Sequence, residues 1–363
     1  MATVVAKIGS SSVTSELGVI DRVAVAALCA EVVALRAAGH RVVIVTSGAI
    51  SAGVHALGLT VRPTDMPTLQ ALSAAGQSRL MQVYNEILAA DGVVGAQVLL
   101  VPHDFVNRRQ YLHARQTLVR LFELGCVPII NENDAVADDE IRFGDNDRIA
   151  ALVSHLVAAD VLVLLTDTSG LYTADPRRDP TAELVGELHV DDPVLAEVGG
   201  KGSSRGSGGM ASKLDAARIA SWSGVRAVIA GASRPNVLAD AVADRAGVGT
   251  TFRPHDRRLP ARKLWIAFAS GVGGSVVVDD GARRALVERG TSLLPAGVTA
   301  VHGAFDDGDT VEVVGPDGAV FARGMVALSA GALRDIAGKR TADLPPDVPH
   351  EVVHRDDLVL VPR

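Results

Sequence analysis

Lysines, carboxylates and glycine-rich turns recur in this chain directly after short apolar runs. Lys7 falls within the run Val4–Ile8 and is followed by Gly9, Ser10 and Ser11. Glycine lets backbone amides approach an anion closely, and an ammonium supplies a compact positive charge, so the segment can cradle a phosphate. The same residues equally suit a solvated lysine beside a tight turn. No G-x-x-x-x-G-K-[ST] pattern occurs, which excludes a Walker A loop. After Arg41–Val45 comes Thr46-Ser47-Gly48-Ala49-Ile50-Ser51-Ala52-Gly53. Ser47 is a candidate N-cap for a helix starting near Gly48, where free amides suit a carboxylate or phosphate, or simply begin a helix.

Four polar residues, Asn131, Glu132, Asn133 and Asp134, directly follow the apolar run Val127–Ile130. A hairpin-like excursion over Asp138–Phe143 leads to Gly144-Asp145-Asn146-Asp147, where a helix is expected and one side chain can cap it. The remaining carboxylates can coordinate Mg²⁺, bind a substrate ammonium or hold lysines in place; a solvated acidic loop is the plain alternative. Thr166-Asp167 follows another apolar run. A last stretch, Gly199–Gly209, feeds a helix near Met210 that carries Lys213 on its first turn. Gly206-Ser207-Gly208-Gly209-Met210-Ala211 fits a loose G-x-G-x-x-A pattern, but it follows a Gly/Ser run rather than a strand, which disfavours a dinucleotide fingerprint. A loop entering a helix with a nearby lysine suits nucleotide phosphates better.

Hydrolytic chemistry needs a positioned nucleophile with its base, and neither G-x-S-x-G nor a Cys/His pair is present. The ten histidines are scattered, with no zinc spacing. Phosphoryl transfer remains, because there positioning and charge neutralisation are the catalysis.

The elements that must position these residues alternate two periods. Strand-like runs at Val4–Ile8, Arg41–Val45, Val94–Leu100, Val127–Ile130, Val161–Leu165 and Ala227–Ala230 are separated by helical stretches at Arg22–Ala38, Thr68–Ala90, Tyr111–Leu124, Asp147–Ala158 and Met210–Ser223. Such an order predicts an α/β fold, a three-layer αβα sandwich on a mostly parallel sheet. In such sheets ligands bind beyond the carboxyl ends of the strands, where the residues above fall. Past Phe252 the pattern changes to a basic, proline-bearing stretch and then short strands between glycine turns, among them Gly273-Gly274, Asp279-Asp280-Gly281 and Pro316-Asp317-Gly318. The expected organisation is a catalytic domain over 1–255, a linker over 256–262 and a small β-rich domain over 263–363.

Composition bounds the rest. The chain has 363 residues, 48% hydrophobic and 21% charged, which excludes wholesale disorder. Aromatics make up only 3% beside 36 glycines, the small-residue material of sheets packed under helices. The net charge of −7 argues against a strongly basic nucleic-acid binder. Residues 260–363 alone hold 11 Lys/Arg and 14 Asp/Glu, so RNA is not expected as the main partner of that part. No apolar stretch is long enough to span a bilayer and no secretory signal is evident, so a cytoplasmic location is expected. Cys29 and Cys126 fit a reducing compartment and read as small buried hydrophobes.

Across nearly its whole length the chain resembles the bacterial glutamate 5-kinases of the amino acid kinase family, which carry a C-terminal PUA domain. The resemblance rests on the Lys7 loop, TSGAISAG from Thr46, AAGQSRL from Ala74, NENDAVA from Asn131, GDND from Gly144, LLTDTSGLYTADP from Leu164 and SGGMASK from Ser207. A looser likeness covers Ser292–Gly297, Gly308-Asp309 and His354–Asp357. The first loop has Ser where the family usually has Thr, which keeps the hydroxyl. The resemblance implies ATP-dependent phosphorylation of the L-glutamate γ-carboxylate, the first step of proline biosynthesis, with feedback inhibition by proline. It implies Ser47, Asp134 and Asn146 as glutamate contacts, with Asp145 helping with substrate or metal. ATP would be held by Lys7, Gly9, Thr166, Asp167 and the segment Ser207, Gly208, Gly209, Met210, Ala211, Ser212 and Lys213. Lys7 and Lys213 would neutralise charge on the phosphoryl group, oriented by Asp147. Mg²⁺ would enter through the ATP phosphates. The family further implies a homotetramer or homodimer and hand-off of a labile product to glutamate-5-semialdehyde dehydrogenase.

Overall fold

The computed structural model describes every residue except 16–17, 106, 137–144, 177, 190–191, 193–207, 256–257, 270, 346–347 and 362–363. The chain forms two compact units, Met1–Arg258 and Leu259–Arg363.

Eight strands build the sheet of the first unit: β1 (Thr3–Ile8), β2 (Arg41–Val45), β3 (Gly95–Leu100), β4 (Val127–Glu132), β5 (Val161–Thr166), β6 (Glu187–Leu188), β7 (Arg226–Gly231) and β8 (Thr250–Phe252). Their spatial order is β3-β4-β2-β1-β5-β7-β8-β6. All pairings are parallel except β7 with β8. β1, β4 and β5 are buried at every residue, as central strands covered on both faces must be.

The helices follow from local signals. After the short α1 (Ser10–Val13), α2 (Arg22–Ala37) is capped by the Asp21 carboxylate, which accepts from the amides of Val23 and Ala24. α3 (Ala49–Ala56) follows β2, and Asp65 caps α4 (Met66–Ala89). Asn107 caps α5 (Arg108–Glu123); α6 (Asp145–Leu156), α7 (Gly208–Trp222) and α8 (Val237–Val242) complete the unit. Strand side chains alternate between faces. Val4, Ala6 and Ile8 of β1 pack into one core with α2, α4 and α8. Val5 and Lys7 therefore face the opposite layer, where α6 packs on β1 and on α7. This is the expected three-layer arrangement, and it aims Lys7 at α6.

α3 and α4 meet through glycine. A Cβ on Gly76 would lie 1.9 Å from the Ala49 carbonyl oxygen, and one on Gly53 would lie 2.0 Å from that of Leu72. The two helices touch backbone to backbone, which explains Gly53 of TSGAISAG and Gly76 of AAGQSRL.

The second unit holds a five-stranded sheet ordered β10-β9-β11-β12-β13, from β9 (Val272–Val278), β10 (Val298–Gly303), β11 (Thr310–Val314), β12 (Val320–Val326) and β13 (Val353–Leu360). Two helices here depart from the sequence reading, α9 (Asp280–Arg289) and α10 (Ala330–Ile336). Asp279-Asp280-Gly281, read as a turn, is a helix start: the Asp279 carboxylate accepts from the Ala282 amide. Ser329 caps α10 in the same way.

Among the described residues no helix is long and apolar enough to cross a membrane. Both cysteines are free, and burial pushes the Cys29 thiol up to about 12, so it stays protonated.

Candidate active site

Lys7 and Lys213 meet on one carboxylate. Lys7 Nζ lies 2.5 Å from Asp147 Oδ1, and Lys213 Nζ lies 3.4 Å from Asp147 Oδ2. All three residues are buried, at 4%, 8% and 1% exposure respectively. Each comes from a different element. Lys7 is the penultimate residue of β1, Asp147 the third of α6 and Lys213 the sixth of α7. Lys213 thus stands in the second turn rather than the first, because α7 already begins at Gly208. Ser212 Oγ also donates to Asp147 Oδ2, at 2.7 Å, and Lys213 Nζ donates to the Gly209 carbonyl at 3.0 Å.

Burial alone would raise the Asp147 carboxyl. The charges of Lys7 and Lys213, with hydrogen bonds from Lys7 and Ser212, outweigh it and hold the group below its ordinary value. Burial dominates at Lys7 and pulls its ammonium down, with Asp147 opposing and Lys213 adding to the effect. Two ammonium groups facing a single carboxylate leave one positive charge uncompensated. An arriving polyanion removes that imbalance, which is what a phosphate site requires.

A cleft beside this triad is lined by Ser10, Ser47, Arg62, Glu132, Asp134 and Asn146. Asn146 and Asp147 are consecutive on α6, so the cleft and the lysine pair share one helix end. Asn146 Oδ1 accepts from the Glu132 amide at 3.0 Å, tying α6 to the end of β4. Asp134 begins a 3₁₀ turn after β4, and its Oδ2 accepts from Ser73 Oγ of α4 at 3.0 Å. Asn131 Nδ2 donates to Gln77 Oε1, whose Nε2 donates to Gln97 Oε1, so a chain of amides carries the order from α4 to β3. Both Asp134 and Glu132 are buried.

The structure brings Ser47, Asp134 and Asn146 into the cleft and Lys7, Asp147 and Lys213 into the triad. Ser47 does not cap α3. The cap position is Gly48, at φ +103° with no side-chain hydrogen bond, because the chain must turn through left-handed backbone that glycine tolerates. A Cβ there would also press on Thr14 Cγ2 at 3.1 Å. Thr166 ends β5, and its Oγ1 donates to Asp167 Oδ1. Gly9 leads into α1, and a Cβ there would meet Lys7 Nζ at 3.6 Å. Gly208, Gly209, Met210, Ala211 and Ser212 form the start of α7. Ser207, the side chain of Asp145 and the excursion 138–143 lie outside the described residues. Sequence reasoning missed Ser73, Gln77 and Arg62. Ser73 and Gln77 sit four residues apart on one face of α4, but no local pattern distinguishes a serine reaching a carboxylate from one reaching solvent.

Comparison with known proteins places this geometry. A model described as the amino acid kinase family matches residues 2–231, and a PUA domain model matches residues 274–345. The eight-stranded sheet of the first unit is therefore that of an amino acid kinase. Glutamate 5-kinase from Myxococcus xanthus is 48% identical over 363 residues, covering 99% of this chain and 96% of the relative. That from Burkholderia multivorans is 46% identical over 362 residues, covering 98% and 97%. That from Rhodococcus opacus is 47% identical over 357 residues, covering 98% and 96%. The chain belongs to the glutamate 5-kinase branch of the amino acid kinase family, with a C-terminal PUA domain.

Proposed function

We propose that the protein transfers the γ-phosphoryl group of ATP to the γ-carboxylate of L-glutamate, giving γ-glutamyl 5-phosphate for proline biosynthesis in the cytoplasm. The observation that carries this reading is the pair of buried lysines on Asp147, set beside a cleft that holds Ser47, Asp134 and Asn146. A carboxylate is already a competent nucleophile, so no general base is required. One of its oxygens bonds to the γ-phosphorus while the bond from phosphorus to the bridging oxygen breaks and the electron pair leaves with ADP. The obstacle is repulsion between two anions. Lys7 and Lys213 lower it by neutralising charge on the phosphoryl oxygens, and Asp147 fixes both ammonium groups.

In this reading Asp134 accepts the substrate ammonium, Asn146 and Ser47 position the carboxylates, and Asp145 assists at the same helix end. Gly9, Thr166, Asp167 and the run Ser207–Lys213 hold ATP. Among the described residues no group of three or more His, Cys, Asp or Glu side chains suits a metal, and Asp147 is engaged by lysines. Mg²⁺ would enter with the ATP phosphates and would supply further charge neutralisation there.

The family likeness leads us to expect inhibition by proline, a homotetramer or homodimer, and hand-off of product to glutamate-5-semialdehyde dehydrogenase. We assign residues 1–255 to the catalytic domain, 256–262 to a linker and 263–363 to the PUA-like domain. The test is ADP release with L-glutamate, N-acetylglutamate, aspartate, carbamate and a nucleoside monophosphate, each with and without proline. Turnover confined to glutamate and suppressed by proline supports the reading; preferential turnover of any other acceptor overturns it.

A further inference from the structure

The cleft described above presents two carboxylates, Glu132 and Asp134, together with serine and asparagine side chains and one cation. That cation is Arg62, the only lysine or arginine among the described residues lining the cleft. It stands on the exposed connection between α3 and α4, three residues before the Asp65 cap of α4. We propose that Arg62 is the specificity-determining residue for the substrate's α-carboxylate, so that the enzyme recognises a free α-amino acid rather than a γ-carboxylate alone. This deepens the function proposed above and rests on it.

Charge bookkeeping in the cleft motivates the assignment. An acceptor of this class carries two carboxylates and one ammonium. The reacting carboxylate must lie toward Lys7 and Lys213. The ammonium fits the acidic side, where Asp134 is fixed by Ser73. The second carboxylate would otherwise sit in a cleft whose described charged residues include two anions and no other cation. A guanidinium meets a carboxylate with two parallel donors and thereby selects its geometry as well as its charge. The backbone amides at the start of α3, at Gly48, Ala49 and Ile50, line the same cleft and are the rival partner. Side-chain substitution separates the two, because it leaves those amides in place.

The experiment compares wild type, Arg62→Ala and Arg62→Lys with L-glutamate and with glutamate α-amide, which keeps the ammonium and the γ-carboxylate but replaces the α-carboxylate by a neutral carboxamide. The amide is measured both as substrate and as a competitive inhibitor against glutamate. Arg62→Ala should raise the glutamate KM by about 30-fold or more, while kcat and the ATP KM stay within about threefold of wild type, because a charged contact distant from the transferred group is lost. The amide's KM or Ki should barely move, so that the preference for glutamate over the amide collapses. Arg62→Lys should recover part of that preference. An unchanged preference in Arg62→Ala overturns the assignment and transfers the α-carboxylate to the α3 amides. An equal rise for both compounds also overturns it, since that marks a general role in the loop. Wild type that turns over no glutamate would instead remove the proposed function, and this inference with it.

Discussion

Lys7 Nζ and Asp147 Oδ1 form an ion pair at 2.5 Å with both side chains almost wholly withdrawn from water. Burying an ion pair is costly unless further partners satisfy it. Here the second carboxylate oxygen is shared by Ser212 and Lys213, so one aspartate collects three donors from two elements. The arrangement sacrifices stability to hold surplus positive charge at the strand ends, which is a reason to look for catalysis there.

Removing either lysine should act on the chemical step. Lys213→Ala and Lys7→Ala are each expected to lower kcat by about 10²–10³-fold with modest change in KM, in line with loss of a preorganised charge at the reacting centre. Steady-state kinetics of the purified variants check this, and near-normal turnover would remove that lysine from the mechanism.

Asp147→Asn leaves two buried ammonium groups without their counter-charge and should cost about 3–5 kcal/mol of stability near neutral pH. The sign of its pH dependence follows from the depressed carboxyl. The stabilisation is fully present above the unfolded value of 3.8 and is lost as pH falls through the lower folded value. Melting temperatures of wild type and Asp147→Asn should therefore be widely separated at neutral pH and converge below about pH 4. A gap that stays constant with acidification contradicts the assignment.

Asp134→Ala and Asn146→Ala should act on binding rather than chemistry. Loss of a hydrogen bond to a charged group is worth about 1.5–3 kcal/mol, so the glutamate KM should rise by about 10–100-fold with smaller effects on kcat. Ser73→Ala should raise KM in the same direction but less, since it frees Asp134 Oδ2 without removing the charge. An unchanged glutamate KM in Asp134→Ala would remove it from the substrate site.

Gly76→Ala places a methyl 1.9 Å from the Ala49 carbonyl and 2.4 Å from the Gly53 amide, so α3 and α4 must part. Overpacking of this kind costs about 1–3 kcal/mol and sometimes more. Because Ser73 and Gln77 flank Gly76 and hold Asp134 and Asn131, the glutamate KM should rise together with the fall in melting temperature. Measuring both in one variant checks the link. Loss of stability with an unchanged KM would show that α4 does not order the cleft.

The residues legible in the sequence were those that follow strands. Lys7, Asn131, Asp134 and Thr166 stand at the ends of apolar runs, and a parallel sheet leaves little freedom about where such residues emerge. Asp147 and Lys213 were legible only as members of motifs. Their meeting depends on α6 and α7 packing in the layer that Lys7 faces, which the period-two alternation of β1 implies but does not reveal by itself. Ser73 and Arg62 were not legible, because one lies mid-helix and the other in a polar connection, and only tertiary packing turns them toward Asp134 and its cleft. Ser47 was misread as a cap because serine is a common capping residue, whereas the left-handed turn at Gly48 takes that position. In the second unit, Asp-Asp-Gly carries the same residues for a turn and for a helix start, so α9 was hidden in what looked like a loop.

The most direct test of the account is to run ATP turnover with L-glutamate in the presence of hydroxylamine, which traps an acyl phosphate as its hydroxamate. Wild type should form γ-glutamyl hydroxamate in step with ADP, and Lys213→Ala should lose both. ADP release that is independent of glutamate, or that yields no hydroxamate, would contradict transfer of a phosphoryl group to a carboxylate at the Lys7–Asp147–Lys213 centre.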